Sequence, residues 1–259
     1  MNDVIDENTG TVYAYTQAES RNGTLATDKG KAFVIGGLVS TNGGGTYQKV
    51  STGIPAPGTF VPSYIANRTK ESYDAVANIV QFPGDTNFWY TIVKHGYLWR
   101  TNNIADNSAW RGWNGSDFVV PSGDWVNDPD NTQNRNLTKV LNDFVRIVWS
   151  TVCECWIGIS WSNNFAYQTS TDLVRWSRFK ELYLQSASRF WPSHATGANY
   201  AQTSSVYPAI YDLEFDGPGA EGVSNFVKAG PNPYLYFMSF GFQGHERVLV
   251  RLPLQISLT

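Results

Sequence analysis

Three aspartates lie at the starts of strand-like runs, where carboxylates from different strands can come together. Asp3 comes just before a short strand and a turn, Asp74 begins a second run, and Asp143 begins a third. Two carboxylates that converge on one bond can act as general acid and general base. A carboxylate at a strand end can equally well cap backbone amides. Both interpretations stay open for each of the three residues.

The elements that would position these aspartates follow one repeated plan. The stretch from Phe165 to Phe179, FAYQTSTDLVRWSRF, predicts a strand, a polar turn, an apolar plug at Leu173 and a second strand with an aromatic residue. Looser copies run from Tyr97 to Trp113 and from Leu38 to Val50. A recurring unit made only of strand-like runs is typical of a β-propeller. We therefore predict an all-β β-propeller in a single domain, 1–259, with four visible repeats at about 1–60, 72–120, 140–187 and 205–257.

Composition and charge exclude several classes of function. Aromatic residues make up 15% of the 259 residues, and 23 glycines and 12 prolines supply turns, as expected for a β-rich chain with a sizeable core. The net charge of −3, without clusters of Lys and Arg, argues against nucleic acid as a partner. The three histidines are far apart in sequence, so we predict neither a metal site nor a cofactor. No apolar run is long enough to span a membrane.

The two cysteines and the N-terminus bear on the cellular compartment. Cys153 and Cys155 are two residues apart in a strand-like run, a spacing that is awkward for a mutual disulfide. We therefore expect them to be buried as small apolar groups. The chain begins Met1-Asn2-Asp3 without a basic and apolar leader, so we expect no signal peptide within it.

Two resemblances follow from these runs. The turn from Ser40 to Tyr47 is similar to the Asp-box of sialidase-like propellers, where its role is structural. The chain from Tyr73 onwards, with Asp3 to Tyr15, resembles bacterial secreted, glycosyl-hydrolase-like proteins built on the five-bladed propeller of arabinanases and invertases. The runs that carry this resemblance are YLWRTNNIADNSAWRGW, FAYQTSTDLVRWSRF, YPAIYDLEF, NPYLYFMSF and RVLVRLPL. It implies an extracellular or cell-surface protein.

The number of blades is left open by this resemblance, because four repeats are visible where five are expected. A blade is missing from the N-terminus of this chain, or the ring has four blades, or one blade is too degenerate to recognise. The first repeat is expected to lack most of its innermost strand, and the last shows no clear fourth strand.

The resemblance implies hydrolysis of a glycosidic bond at the central channel. It assigns Asp3 or Asp143 as the base and Asp74 as an orienting carboxylate, although the proline usual after the first aspartate is absent. The two carboxyl groups would lie about 5–5.5 Å apart in a retaining enzyme and about 6.5–9.5 Å apart in an inverting one. The usual glutamic acid is missing from the strand starts, since Glu154 and Glu214 are expected at the other end of their blades.

Aromatic residues offer a second interpretation. Tyr73, Tyr207, Trp191 and Trp125 would suit stacking against sugar rings if they face the channel, and His194 would line its mouth. Most aromatic residues in a propeller instead fill the space between sheets. The alternative to a hydrolase is therefore a non-catalytic propeller that binds a glycan or a partner protein. The oligomeric state is not predicted.

Overall fold

The computed structural model describes residues 2–6, 9–20, 32–49, 76–85, 87–93, 96–106, 109–120, 137–141, 146–161, 165–182, 205–213, 215, 227–240 and 247–258. Every regular element named within these stretches is a β-strand. The chain divides into two compact units, Met1–Asn142 and Asp143–Thr259. The sequence predicts a single domain, and this division into two compact units does not test that prediction.

The first unit contains two antiparallel sheets whose strands follow one another in chain order. The first sheet is formed by β1 (Asn2–Asp6), β2 (Thr11–Ser20), β3 (Ala32–Ser40) and β4 (Gln48–Lys49). The second is formed by β5 (Val76–Val80), β6 (Trp89–Val93), β7 (Tyr97–Thr101), β8 (Arg111–Trp113) and β9 (Phe118–Val119).

The second unit also contains two sheets. One strand of the third sheet comes from the part of the sequence that forms the fourth sheet. The third sheet has the order β13-β12-β11-β10-β15 and the fourth has the order β14-β16-β17. Their strands are β10 (Arg146–Ser150), β11 (Cys155–Trp161), β12 (Phe165–Ser170), β13 (Lys180–Glu181), β14 (Ser205–Tyr211), β15 (Lys228–Ala229), β16 (Tyr234–Phe240) and β17 (Arg247–Pro253). β15 lies between β14 and β16 in sequence but pairs in parallel with β10.

The prediction of an all-β propeller with four visible repeats is confirmed, with four sheets as the blades in the described residues. The fourth sheet has three strands among these residues, in agreement with the missing fourth strand. The expectation that the first repeat lacks most of its innermost strand is wrong. β1 has five residues, and all five pair with β2.

The hairpin between β1 and β2 explains why β1 ends where it does. Asp6 accepts hydrogen bonds at its backbone oxygen from Gly10 N (2.8 Å) and at its side chain from the Thr9 hydroxyl (2.9 Å). Gly10 has a φ of +67°, which glycine adopts without steric cost. The aspartate and the glycine therefore close a tight turn that fixes the register of β1.

Each unit has its own hydrophobic core. In the first unit, Val4 of β1 and Ile79 of β5 belong to one buried cluster, which also contains Trp99 and Trp110. In the second unit, Phe165 and Phe237 meet edge to face with ring centroids 5.1 Å apart, inside a cluster drawn from the third and fourth sheets. Each core therefore joins the two sheets of its own unit.

The turn that follows the third strand is built alike in the first and third sheets. The Ser40 hydroxyl donates to Asn42 Oδ1 (2.8 Å), which accepts from Thr46 N (2.9 Å). The Ser170 hydroxyl donates to Asp172 Oδ1 (3.2 Å), which accepts from the amides two and three residues further on, at 2.9 and 2.7 Å. A small hydroxyl and a short polar side chain thus replace the missing backbone bonds of a tight turn.

The second sheet has a related turn at the same place. Thr101 Oγ1 accepts from Asn103 N (3.1 Å), and Asn103 Oδ1 accepts from Ala105 N (3.1 Å). In the third sheet the predicted plug Leu173 is fully buried, which confirms its role, and Trp176 Nε1 donates to its carbonyl (2.8 Å). Assignment of the turn from Ser40 to Tyr47 to the Asp-box type stays a prediction.

The expectation about the cysteines is wrong, because Cys153 and Cys155 form a disulfide. The expectation placed both residues on one strand, but Cys153 lies in the turn 151–154 and Cys155 begins β11. Glu154 between them has a φ of +48°, and this left-handed residue folds the chain back so that the two Cα atoms lie 5.2 Å apart. That separation lies within the range that disulfides span.

Candidate functional site

The predicted carboxylates are only partly placed. Asp3 lies on β1, where its backbone is opposite Ala14 of β2, while its side chain lies outside what the structure describes. Asp74 and Asp143 lie outside the described residues. The predicted convergence of the three carboxylates therefore stays a prediction.

Glu154 was expected at the hairpin between the first two strands of its blade, and it lies in the turn between β10 and β11, as expected. Glu214 lies outside the described residues.

Of the predicted binding residues, the structure describes Tyr207, whereas Tyr73, Trp125, Trp191 and His194 lie outside the described residues. Tyr207 lies on β14 and is 63% exposed. Its φ of +58° is in the left-handed region. For a side chain with a Cβ atom this region costs roughly 1–2 kcal/mol. Because the side chain is mostly exposed, its burial offsets little of that cost.

Pro208 explains why β14 is irregular at Tyr207. The register of β14 against β16 shifts between Val206 and Ala209, which marks a β-bulge. Proline has no backbone N–H and is tolerated within a sheet only at an edge or a bulge. The sequence Tyr207-Pro208 therefore interrupts the ladder and turns the tyrosine out of the regular alternation.

A row of tyrosines lies beyond this bulge on one face of the fourth sheet. Leu235 and Phe237 of β16 are fully buried, so the alternating residues Tyr234 and Tyr236 lie on the opposite face. Tyr211 of β14 is paired directly with Tyr234, and it shares the face for that reason. All three tyrosines are partly exposed.

The three tyrosine rings contact one another. The ring centroids of Tyr211 and Tyr236 are 5.6 Å apart, and those of Tyr234 and Tyr236 are 6.4 Å apart. Both pairs are arranged edge to face, the geometry that the aromatic quadrupole favours. These contacts hold the three rings in place.

Two arginines contact rings of the row. The Cζ atom of Arg146, from β10, lies 4.8 Å from the ring centroid of Tyr211. The Cζ atom of Arg251, from β17, lies 4.6 Å from the ring centroid of Tyr234. Both distances are typical of cation–π contacts. We call Arg146, Tyr211, Tyr234, Tyr236 and Arg251 the tyrosine face.

A second aromatic cluster, in the second sheet, shows a contrasting arrangement. Arg100 lies between two phenylalanine rings, with its Cζ atom 4.3 Å from the centroid of Phe88 and 4.1 Å from that of Phe118. Burial raises the pKa of Tyr90 beside it, although a hydrogen bond and the charge of Arg100 oppose the rise. Rings cover this guanidinium on two sides, so the cluster stabilises the sheet.

Asp212 is a buried carboxylate that the sequence reasoning missed. Its side chain is 6% exposed, and Oδ2 accepts a hydrogen bond from Gly230 N at 2.8 Å. This bond fixes the chain directly after β15. Ala229, the last residue of β15, precedes Gly230 and pairs with Ser150 of β10. Asp212 directly follows the end of β14, whereas the carboxylates predicted from the sequence lie at the starts of strands.

The described residues hold no group of three or more His, Cys, Asp or Glu side chains that could bind a metal ion. Within the same stretches, no helix has the length and hydropathy needed to cross a membrane.

No protein-family model matches the chain, and no curated protein sequence matches it. Among solved structures, a glycosyl hydrolase from Bacteroides ovatus is similar to this chain at 12% sequence identity. The similarity covers 98% of this chain and 84% of that one, with a TM-score of 0.42.

Proposed function

We propose that this protein binds carbohydrate on the tyrosine face of its fourth sheet. The observation that carries the proposal is the row of partly exposed rings of Tyr211, Tyr234 and Tyr236, held together by ring contacts. Tyrosine presents an apolar ring that covers the C–H face of a sugar and a hydroxyl that bonds to sugar hydroxyls. Three fixed rings would bind several sugar units with little loss of side-chain entropy on binding.

Tyr207 supports the same proposal from the neighbouring part of β14. A mostly exposed aromatic side chain in a left-handed conformation is a strained arrangement, and such strain concentrates at binding sites. Tyr207 and Tyr211 belong to one strand, so Tyr207 lies in the part of the chain that carries the tyrosine row.

A glycan panel tests the proposal. Neutral and acidic oligosaccharides would be titrated against the wild-type protein and the Tyr236→Ala variant by calorimetry. We expect Tyr236→Ala to weaken binding by about tenfold, since a lost aromatic contact costs about 1–1.5 kcal/mol. The matched control is Phe179→Ala, which removes an aromatic ring that is 47% exposed on the third repeat. Equal affinity of both variants would refute the assignment of the face.

Hydrolysis is a second candidate, and the position of Asp3 favours it. Asp3 lies on β1, whose next residue Val4 packs in one core cluster with Ile79 of β5. Asp74 is two residues before β5, so β1 and β5 are the two strands from which these carboxylates would converge. Asp3 or Asp143 would then act as the base and Asp74 as the orienting carboxylate. Release of reducing sugar by the wild type but not by Asp3→Asn would support this candidate.

An extracellular or cell-surface location completes the proposal. The Cys153–Cys155 disulfide supports it, because disulfides persist in oxidising compartments. Labelling of free thiols in protein taken directly from its cells tests it. Two reactive thiols per chain would contradict an oxidising compartment.

A further inference from the structure

We infer that the carbohydrate bound by the tyrosine face is acidic and carries carboxylates, as in a chain of uronic acids. This inference rests on the proposed function and adds the class of ligand. Its basis is the exposed residue Arg251, which lies over the ring of Tyr234, together with the described residues that share its face.

Arg251 is the charged residue among the described positions of this face. The other residues paired across β14, β16 and β17 on the face are tyrosines and apolar residues, and no acid occurs at these described positions. With Arg251 they are Ala209, Tyr211, Tyr234, Tyr236, Met238, Leu249 and Pro253. Arg251 therefore has no carboxylate among these cross-strand neighbours, in a chain whose net charge is −3.

Arg251 keeps its hydrogen-bond donors available in its contact with Tyr234. It is an exposed residue, and its guanidinium lies over the ring of Tyr234. A cation–π contact uses the charge of the guanidinium and the quadrupole of the ring, and it does not occupy the N–H donors as an ion pair would. The stacked guanidinium can therefore offer its rigid fork of donors to a carboxylate, which it binds through two parallel hydrogen bonds.

Arg251 lies against Tyr234, which is paired directly with Tyr211 on the neighbouring strand. A ligand that stacks on these rings would bring its own charged groups toward Arg251. A polymer with a carboxylate on each sugar ring meets this requirement, whereas a neutral glycan would offer Arg251 no charged acceptor.

The experiment uses ligands that differ only in charge. The full chain would be titrated by calorimetry with the hexamer of α-1,4-linked galacturonic acid and with its methyl ester, within a panel of other acidic oligosaccharides and their neutral forms. We expect an acidic member to bind about tenfold more tightly than its neutral partner, as hydrogen bonds to a charged group imply. The advantage should shrink as salt is raised.

Variants locate the effect on the structure. Arg251→Gln should lose most of the preference for the acid, so that the ratio of the affinities for the acid and the ester approaches one. Arg251→Lys should recover part of it, because lysine keeps the charge but lacks the fork. Arg178→Gln, at an exposed arginine of the third repeat, is the matched control and should behave as wild type.

Two outcomes separate this inference from the proposal beneath it. Equal affinity for acidic and neutral members would overturn the inference and leave carbohydrate binding standing, whereas no binding across the whole panel would remove both. A single-stranded dT10 oligonucleotide that binds through Arg251 as tightly as the acids would also overturn it, because arginine and aromatic residues can hold nucleic acid.

Discussion

Replacing Gly96 by alanine would place a methyl group where the backbone of Leu141 already lies. Gly96 precedes β7 with a φ of +81°, and a Cβ atom there would lie 1.7 Å from Leu141 O and 2.4 Å from Leu141 C. Both contacts are to backbone, so a rotamer change cannot relieve them. The segment 137–141 would have to move away from β7.

The size of the effect follows from what that segment contributes. Gly96 O accepts hydrogen bonds from Val140 N (2.8 Å) and Leu141 N (3.4 Å), and each is worth about 1 kcal/mol. The left-handed conformation of alanine costs a further 1–2 kcal/mol, roughly. The lower entropy of the unfolded alanine chain returns about 0.5 kcal/mol. We expect Gly96→Ala to lower the free energy of unfolding by about 3 kcal/mol.

The assay is urea unfolding followed by the fluorescence of the ten tryptophans. Gly84→Ala is the matched control, because Gly84 has almost the same φ, +83°, with nothing within 4 Å of an added Cβ. It should lose only the conformational term, about 1 kcal/mol. If both variants lost the same stability, packing of the segment 137–141 against Gly96 would not matter and the reasoning would be refuted.

Two other predictions concern a carboxylate and the disulfide. Burial alone would raise the pKa of Asp172, but hydrogen bonds from the amides of Arg175 and Val174 and from the Ser170 hydroxyl, with the charge of Arg175, lower it from the usual 3.8. The ionised side chain therefore stabilises the fold above pH 3.8, and this contribution is lost as the pH falls through the folded pKa. In urea titrations between pH 2 and 7, Asp172→Asn should weaken the dependence of the free energy of unfolding on pH. It should also lower that free energy by about 1 kcal/mol at pH 7. An unchanged dependence on pH would contradict this prediction. Replacing Cys153 and Cys155 by serine should lower the free energy of unfolding by about 1.5 kcal/mol, because the bridge closes a very short loop. Thermal unfolding with and without reductant measures this effect. If reductant did not shift the midpoint of the wild type, the bridge would not stabilise the fold.

Features set by neighbouring residues were predictable from the sequence. The buried plug at Leu173 and the polar turn before it depend on side chains that bond to amides two or three residues away. The hairpin after β1 is likewise decided between Asp6 and Gly10. In each case the residue type determines the turn, because a short polar side chain bonds to nearby backbone amides and a glycine adopts the left-handed conformation without steric cost.

Features that depend on distant pairing or on one backbone angle were not predictable. β15 joins the third sheet through contacts such as the hydrogen bond from Thr151 to Ala229, 78 residues along the chain. A strand of two residues carries no periodicity that could announce this pairing. The disulfide was missed because it depends on the left-handed conformation of Glu154, which the spacing of the cysteines does not reveal.

The tyrosine face was missed for a different reason. In Tyr234-Leu235-Tyr236-Phe237 every residue is apolar or aromatic, so alternation alone does not say which side is buried. The choice is made by Ile210 and Val250, which lie on the side of Leu235 and Phe237 and join them to the core with Phe165. Only the register of three strands assigns the tyrosines to the other face.

The same packing links the stability of the fourth sheet to the proposed binding. Leu235 and Phe237 are fully buried, so β16 is fixed by the core, and its alternation leaves Tyr234 and Tyr236 no freedom to choose a face. β14 differs, because the bulge at Tyr207-Pro208 places a strained residue on the strand that carries Tyr211. Tyr207 thus belongs to the irregular strand, while Tyr234 and Tyr236 are fixed by the regular pairing of β16 with β17. We therefore expect a substitution at Tyr207 to change binding without disturbing the core beneath the tyrosine face.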